Sequence, residues 1–480
     1  MPVSIYSVIE CPDQFPLYYR FSTYLSFAIL IAVGLIRDLF GKLFRPKAYQ
    51  YLKPQDGYAA LNPGFDNFYL RRLHARMDDC FERVTTGVPG RHITLVNRTE
   101  GTTEETETLN LSSYNYLGFA DSQNSCARFV EASIRTCGVG AAGSCAEIGT
   151  HQLQVQVEEL VASYVGKQAA IVSSMGFGTN SSVFSTLVGE DCLVLSDELN
   201  HASIRFGARA SGASIMTFKH NDLVDLETKL RNSIGSRRKW RKVLVVVEGL
   251  YSMEGSLCDL PGLVALRRLY KFYLFVDEAH SIGAIGPNGR GVCDYFHVDP
   301  AEVDILMGTF TKSFGAMGGY IASDRAVISK LRATDAGVIY SEAPAPAVLA
   351  QILSSMQIIV RRGQGPDEGG ARLAQLLSNS RYLRRGLKRL GLMVYGNEDS
   401  PVVPVLLLNP AKMPAFSREM LRRRISVVVV GYPATPLLLS RVRFCVSATH
   451  TKADLDLVLS ACEELCHVLQ LRLCHGSCDV

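Results

Sequence analysis

At 480 residues the chain has room for two or three domains, and 47% hydrophobic against 20% charged residues lets it bury a sizeable core, which excludes wholesale disorder. Fifty basic and 46 acidic residues leave a formal charge of +4, and no basic stripe is interleaved with aromatics, so nucleic-acid binding is not expected. The 13 cysteines are scattered without a CxxC pair, a pattern of reduced thiols facing the cytosol, with neither a disulfide framework nor a metal site.

The first strong feature along the chain is the uncharged run from Phe21 to Ile36, between Arg20 and Arg37. It is short of the ~20 residues of a spanning helix, but Leu17, Tyr18 and Tyr19 lengthen it if Arg20 snorkels. Behind it Leu39, Phe40, Leu43 and Phe44 alternate with Arg37, Lys42, Arg45 and Lys47, an amphipathic stretch suited to a membrane surface. The basic flank places everything after it in the cytosol. Residues 1–54 are thus expected to be a membrane anchor with its linker. A cleaved signal peptide or a buried core helix is the alternative.

From 55 to 345 short apolar runs alternate with helical patterns such as 154–165. The runs are 169–172, 192–195, 215–218, 243–247, 272–276 and 303–307. Continuous apolar strands between helices predict a mostly parallel sheet covered on both faces. Residues 346–480 predict a smaller α/β unit: a helix over 347–362, a Gly/Asp loop over 363–370, a further helix, and a closing amphipathic helix over 452–471. In open α/β sheets ligands sit at the carboxyl ends of the strands, where Asp197, Glu248, Asp277 and the Gly308-Thr309 turn fall.

The run Gly308-Thr309-Phe310-Thr311-Lys312-Ser313-Phe314-Gly315 presents one lysine after a strand, and Asp277-Glu278-Ala279-His280 follows another. A lysine able to form a Schiff base and a buried carboxylate on a neighbouring strand end are the minimum kit for pyridoxal phosphate (PLP). Lys312 would hold the aldehyde carbon and Asp277 the protonated ring nitrogen. Taken singly, Lys312 could be a solvated lysine and Asp277 a helix cap. The apolar residues before Asp277 would bury its carboxylate, which then needs a cationic partner. His280 reaches the same site, towards the ring oxygen. Gly176, Phe177 and their neighbours in Ser174-Met175-Gly176-Phe177-Gly178-Thr179-Asn180 open a helix whose N–H groups can approach a phosphate, with hydroxyls from Thr309 and Thr311. His201 could stack on the ring. Arg441 and Arg443 share one face of a strand, and either guanidinium could clamp a substrate carboxylate.

These residues resemble the α-oxoamine synthase family of fold-type I PLP enzymes over nearly the whole stretch 58–471. The motifs are Asn115-Tyr116-Leu117-Gly118, Asn200-His201-Ala202-Ser203, Glu248-Gly249-Leu250-Tyr251-Ser252-Met253-Glu254-Gly255, Asp277-Glu278-Ala279-His280-Ser281 and the Lys312 run. The resemblance implies a PLP-dependent transferase of fold type I: a large PLP-binding domain over 55–345 and a small C-terminal domain over 346–480. It implies that Lys312, His201 and Asp277 are catalytic, that Lys312, Asp277, His280, His201, Thr309, Thr311, Gly176, Phe177 and Ser252 bind the cofactor, and that Arg443 takes the carboxylate. The loop Gly431-Tyr432-Pro433-Ala434-Thr435-Pro436, the run 443–451 and the N-terminal segment are similar to the branch that condenses L-serine with palmitoyl-CoA, losing carbon dioxide, to give 3-ketosphinganine. That branch implies an endoplasmic reticulum membrane location and a heterodimer with a homologous lysine-less subunit, across which Tyr340-Ser341 would reach. The alternatives are a sister enzyme joining glycine to a short acyl-CoA and a non-catalytic scaffold subunit. One departure stands out: Cys145 occupies a position where this family usually has arginine, and the pattern over 150–156 also diverges.

Overall fold

The computed structural model describes residues 17–472 apart from 55, 61–63, 82, 100–101, 236–237, 361–366 and 433. Residues 363–366 of the expected Gly/Asp loop at 363–370, and Pro433 of the 431–436 loop, lie outside the described residues; Asp367 caps the helix Glu368–Arg389 that takes up the rest of that loop.

All six expected apolar runs form strands of one seven-stranded sheet. In spatial order it runs Ala169–Ser173, Gly319–Ser323, Ile305–Thr309, Tyr273–Asp277, Lys242–Glu248, Cys192–Asp197 and Ser214–Phe218. Five of these strands pair in parallel, while Gly319–Ser323 runs antiparallel to both neighbours. Side chains alternate between two cores, as a period of two requires. Val245 and Val247 enter the larger cluster and Leu244 and Val246 the smaller one on the opposite face. Apolar residues on both sides of a strand make it a buried central strand between helical layers. The parallel register sets Glu248 beside Asp277 and Asp277 beside Met307, so two strands end at one level and the third runs on to Thr309.

The C-terminal unit has an antiparallel sheet of Val402–Leu406, Arg441–Cys445 and Val428–Val430, backed by helices Glu368–Arg389 and Lys452–Val468. The second helix begins with a reciprocal Thr451/Asp454 capping box. A further sheet of Val84–Thr86, His92–Thr99 and Thr102–Asn110 receives Ile425–Ser426 in parallel. The strands at 84–110 therefore share a sheet with residues of the 346–480 unit.

The N-terminal run and the amphipathic stretch behind it form one continuous helix, Leu17–Phe44. Thr23, Phe27, Gly34 and Asp38 are its buried face. Phe27 packs with Phe68, Tyr69 and Leu73. Asp38 pairs with Arg71 at 3.0 Å and with Arg72. The other face leaves Phe21, Leu25, Ile29, Val33, Ile36, Phe40 and Leu43 exposed, each three or four residues after the last. No helix among the described residues is long and apolar enough to cross a membrane.

Candidate active site at the strand ends

Lys312 follows the strand Ile305–Thr309 in a tight return to Gly319–Ser323. The return requires glycine at 318: its φ is 94°, and a Cβ there would lie 2.3 Å from the Ser173 carbonyl. The Lys312 Nζ lies 3.5 Å from Thr309 Oγ1 and 5.9 Å from the centre of the Tyr114 ring. Burial lowers its amine from the usual range to about 8; Asp277 and Glu248 oppose this and the Arg443 charge adds to it.

Asp277 is buried, with one carboxylate oxygen accepting from Asn180 Nδ2 at 2.7 Å and the other from the Ala279 N–H at 2.8 Å. Both donors are neutral, so the carboxylate has hydrogen bonds but no paired cation among the described residues. Burial, then Asp277, hold its neighbour Glu248 well above the ordinary carboxylate range, while the His201 N–H donates to it at 2.5 Å. That bond ties the loop carrying His201 to the end of the next strand. His201 keeps one exposed edge, while its ring is partly enclosed and stands edge-on to Phe177 at 6.0 Å. Burial lowers its pKa, opposed by Asp277 and reinforced by Lys312 and Arg205.

His280 is buried, meets Tyr116 OH through Nδ1 at 2.9 Å, and stands edge-on to Tyr114 at 4.8 Å. Burial, then Lys312 and Arg443, push it well below the ordinary imidazole range, so it stays neutral. Thr309 is buried, its hydroxyl donating to the Ala279 carbonyl at 3.3 Å, and Thr311 is exposed. Gly176 opens the helix Gly176–Leu187 against Thr309, where a Cβ would come 2.9 Å from the Thr309 methyl, and no side chain caps the helix start. Phe177 is next on that helix and faces outward.

The two arginines of the Arg441–Cys445 strand part company. Arg441 is engaged by Glu254 at 3.1 Å and the Met253 carbonyl at 2.9 Å. Arg443 lies with its guanidinium carbon 4.6 Å from the centre of the Tyr114 ring and reaches the Ser252 carbonyl at 3.4 Å; its Nε is buried without a partner. Arg443 is thus the arginine that faces Lys312's surroundings. Ser252 is half-buried beside this pair.

Tyr114 is the residue that reasoning from sequence missed. Lys312, Arg443 and His280 all face its ring, and burial raises its phenol. It directly precedes the Asn115-Tyr116-Leu117-Gly118 motif, which was the available signal. Tyr340 is highly exposed and Ser341 donates to the Gly337 carbonyl; neither is tied to this site within the chain. At the departure from the family pattern, Cys145 Sγ donates to Gln154 at 3.2 Å, Gln154 donates to Glu158 at 3.2 Å, and Arg332 pairs with Glu158 at 2.7 Å. Arg332 therefore supplies the cation that Glu158 needs. No cluster suited to a metal occurs among the described residues.

The model of the aminotransferase class I and II family matches residues 106–461. Serine palmitoyltransferase 2 of Schizosaccharomyces pombe is 56% identical over 98% of this chain and 80% of its own length. The Saccharomyces cerevisiae protein of the same name is 51% identical over 97% and 84%. A serine palmitoyltransferase from S. paucimobilis, solved with PLP–myriocin bound, superposes with a TM-score of 0.75 at 28% identity, covering 84% of this chain and 97% of that one. The chain belongs to the aminotransferase class I and II family and, within it, groups with the serine palmitoyltransferase 2 proteins.

Proposed function

We propose that the chain is the PLP-bearing catalytic subunit of a serine C-palmitoyltransferase, which condenses L-serine with palmitoyl-CoA to give 3-ketosphinganine, CoA and carbon dioxide. The observation that carries the reading is the lysine amine lowered to about 8 at one strand end beside a buried carboxylate that has only neutral donors at the next. PLP fits this arrangement. Its pyridinium supplies the cation Asp277 lacks, and its phosphate suits the uncapped helix start at Gly176 and Phe177 with the Thr309 and Thr311 hydroxyls. Lys312 would hold its aldehyde, His280 its ring oxygen and His201 its ring face, with Ser252 beside them. Bound PLP supplies an electron-withdrawing ring that lets the carbon next to the amino group release a proton.

The chain's own residues then act on serine. Arg443, with an unpartnered Nε, receives the carboxylate as a charge-assisted clamp, and the Tyr114 face keeps that guanidinium in place. Lys312, once free, takes the proton from the serine α-carbon; an amine lowered to about 8 is half neutral near pH 8, as a general base requires. His280 stays neutral and so adds no positive charge to compete with Lys312.

Three further parts of the reading rest on separate supports. The exposed apolar stripe of the Leu17–Phe44 helix supports a helix lying in a membrane surface, with the rest on the cytosolic face of the endoplasmic reticulum. The exposure of Tyr340 and of the site's His201 side supports a homologous lysine-less partner that completes the site. The division into a large unit over 55–345 and a small one over 346–480 is the working domain scheme. The test is product analysis. The chain is co-expressed with such a partner and given serine, glycine or alanine with acyl-CoAs of varied length, and mass spectrometry identifies the products. A 3-ketosphinganine-type product from serine and a long acyl-CoA is expected. Products only from glycine and short acyl-CoAs would move the chain to a sister activity.

A further inference from the structure

A cleft of about 440 Å³ between the start of the Leu17–Phe44 helix and the end of the Lys452–Val468 helix serves none of this chemistry. Tyr18, Tyr19, Ser22 and Thr23 line one side, with Lys412, His467 and Arg472 opposite. None of its described lining residues is acidic. Lys412 is half-buried, donates to the Gln470 carbonyl at 2.8 Å, and pairs with no carboxylate among the described residues; burial lowers its pKa. Arg472 donates to His467 Nε2 at 3.1 Å on the same rim. Thr23 is an independent sign of a missing occupant: it is 1% exposed and its hydroxyl has no hydrogen-bond partner among the described residues. A buried hydroxyl and a cation without counter-charge, both facing one space, are unfavourable until an oxygen-bearing anion fills it.

The position of the cleft identifies the anion. It opens where the apolar stripe begins, beside the exposed Leu17, Tyr18 and Phe21. Tyrosines with one apolar face and one polar tip favour the headgroup level of a bilayer. We propose that this cleft binds the phosphodiester headgroup of an anionic phospholipid, whose acyl chains lie along the stripe of Phe21, Leu25 and Ile29. The inference rests on the surface-helix reading above, and it adds a lipid-class preference and a site to it.

The test is flotation of the full chain with phosphatidylcholine vesicles, with and without phosphatidylserine, beside titration with soluble dihexanoyl phosphatidylserine. The wild type is expected to favour the serine-lipid vesicles. Lys412→Glu combined with Arg472→Glu should lower that partition about tenfold or more and leave the partition onto pure phosphatidylcholine unchanged. Thr23→Val, which keeps charge and shape, should weaken the soluble lipid several-fold. Measurable and equal partition of the wild type onto both vesicles, or unchanged soluble-lipid binding in both variants, overturns the proposal. Displacement by inorganic phosphate as effective as by the lipid assigns the cleft to a soluble phosphate and overturns it too. Soluble-lipid binding without any vesicle binding supports the site and refutes the surface helix instead.

Discussion

Two buried polar clusters stand two strands apart in the same sheet, and they differ in how fully they are satisfied. In the first, Asp197 meets His220 Nδ1 at 3.0 Å and Ser256 meets His220 Nε2 at 2.8 Å, which is the connectivity of a hydrolytic triad. Asp197 further accepts from the Leu199 and Asn221 N–H groups, and all three side chains are buried. Nothing in that cluster is left to bind a substrate. It joins the 197–201 loop that carries His201 to the turn that carries Ser252. In the second, among the described residues, Asp277 has no paired cation and Arg443 keeps an unpartnered nitrogen, and the Lys312 amine is lowered to about 8. By residue types the first cluster resembles a hydrolytic site. Incomplete satisfaction, with an open side, marks the second.

The contrast can be broken most severely at Lys312. Lys312→Ala should lower turnover by about 10³-fold or more, with circular dichroism unchanged, because both the attachment point and the base are lost. Asp277→Asn should follow, with about a 10–100-fold loss in turnover, the size of one hydrogen bond to a charged group. The two arginines sharpen the comparison by readout. Arg443→Met should raise the serine KM about tenfold or more at nearly unchanged melting temperature. Arg441→Met strands Glu254 in the interior and should cost about 3–5 kcal/mol of stability, seen as a lower melting temperature. Ser256→Ala should change turnover least, within about threefold, while lowering stability by about 1–3 kcal/mol. A fluorophosphonate probe should leave Ser256 unlabelled; labelling would show that the closed cluster is reactive after all.

The lowered Lys312 amine also sets a pH dependence. Only the neutral amine attacks an aldehyde, so attachment of PLP to the cofactor-free chain should speed up as pH rises and reach half its limit near pH 8, the folded pKa. An unperturbed lysine would put that midpoint near 10.4. A stopped-flow series followed in the visible band separates the two.

Much of the architecture was legible in the sequence because its signal is periodic. The six apolar runs became six strands of the sheet, and their ends collected Asp277, Lys312 and His201. Gly319–Ser323 escaped because it lies among glycines, and its antiparallel pairing is set by neighbours far away in the chain. The attachment of Ile425–Ser426 to Thr102–Asn110 joins segments more than 300 residues apart, and neither carries a local mark of the other. Arg441 and Arg443 are equivalent by spacing; only the third dimension gives Glu254 to one and Tyr114 to the other. Tyr114 was overlooked because an aromatic beside a motif looks like core until a lysine and an arginine are found facing its ring. At the N-terminus the apolar run and the amphipathic stretch read as two segments, but Asp38 turns inward to Arg71 and Arg72 and one helix runs through both.

The central claim is that Lys312 carries the cofactor. Borohydride reduction of the PLP-loaded chain followed by peptide mass spectrometry tests it directly. A pyridoxyl group is expected on Lys312 and on no other lysine, and it is lost in Lys312→Ala. A pyridoxyl group fixed at a different lysine, or none on a chain that nonetheless makes product, would contradict it.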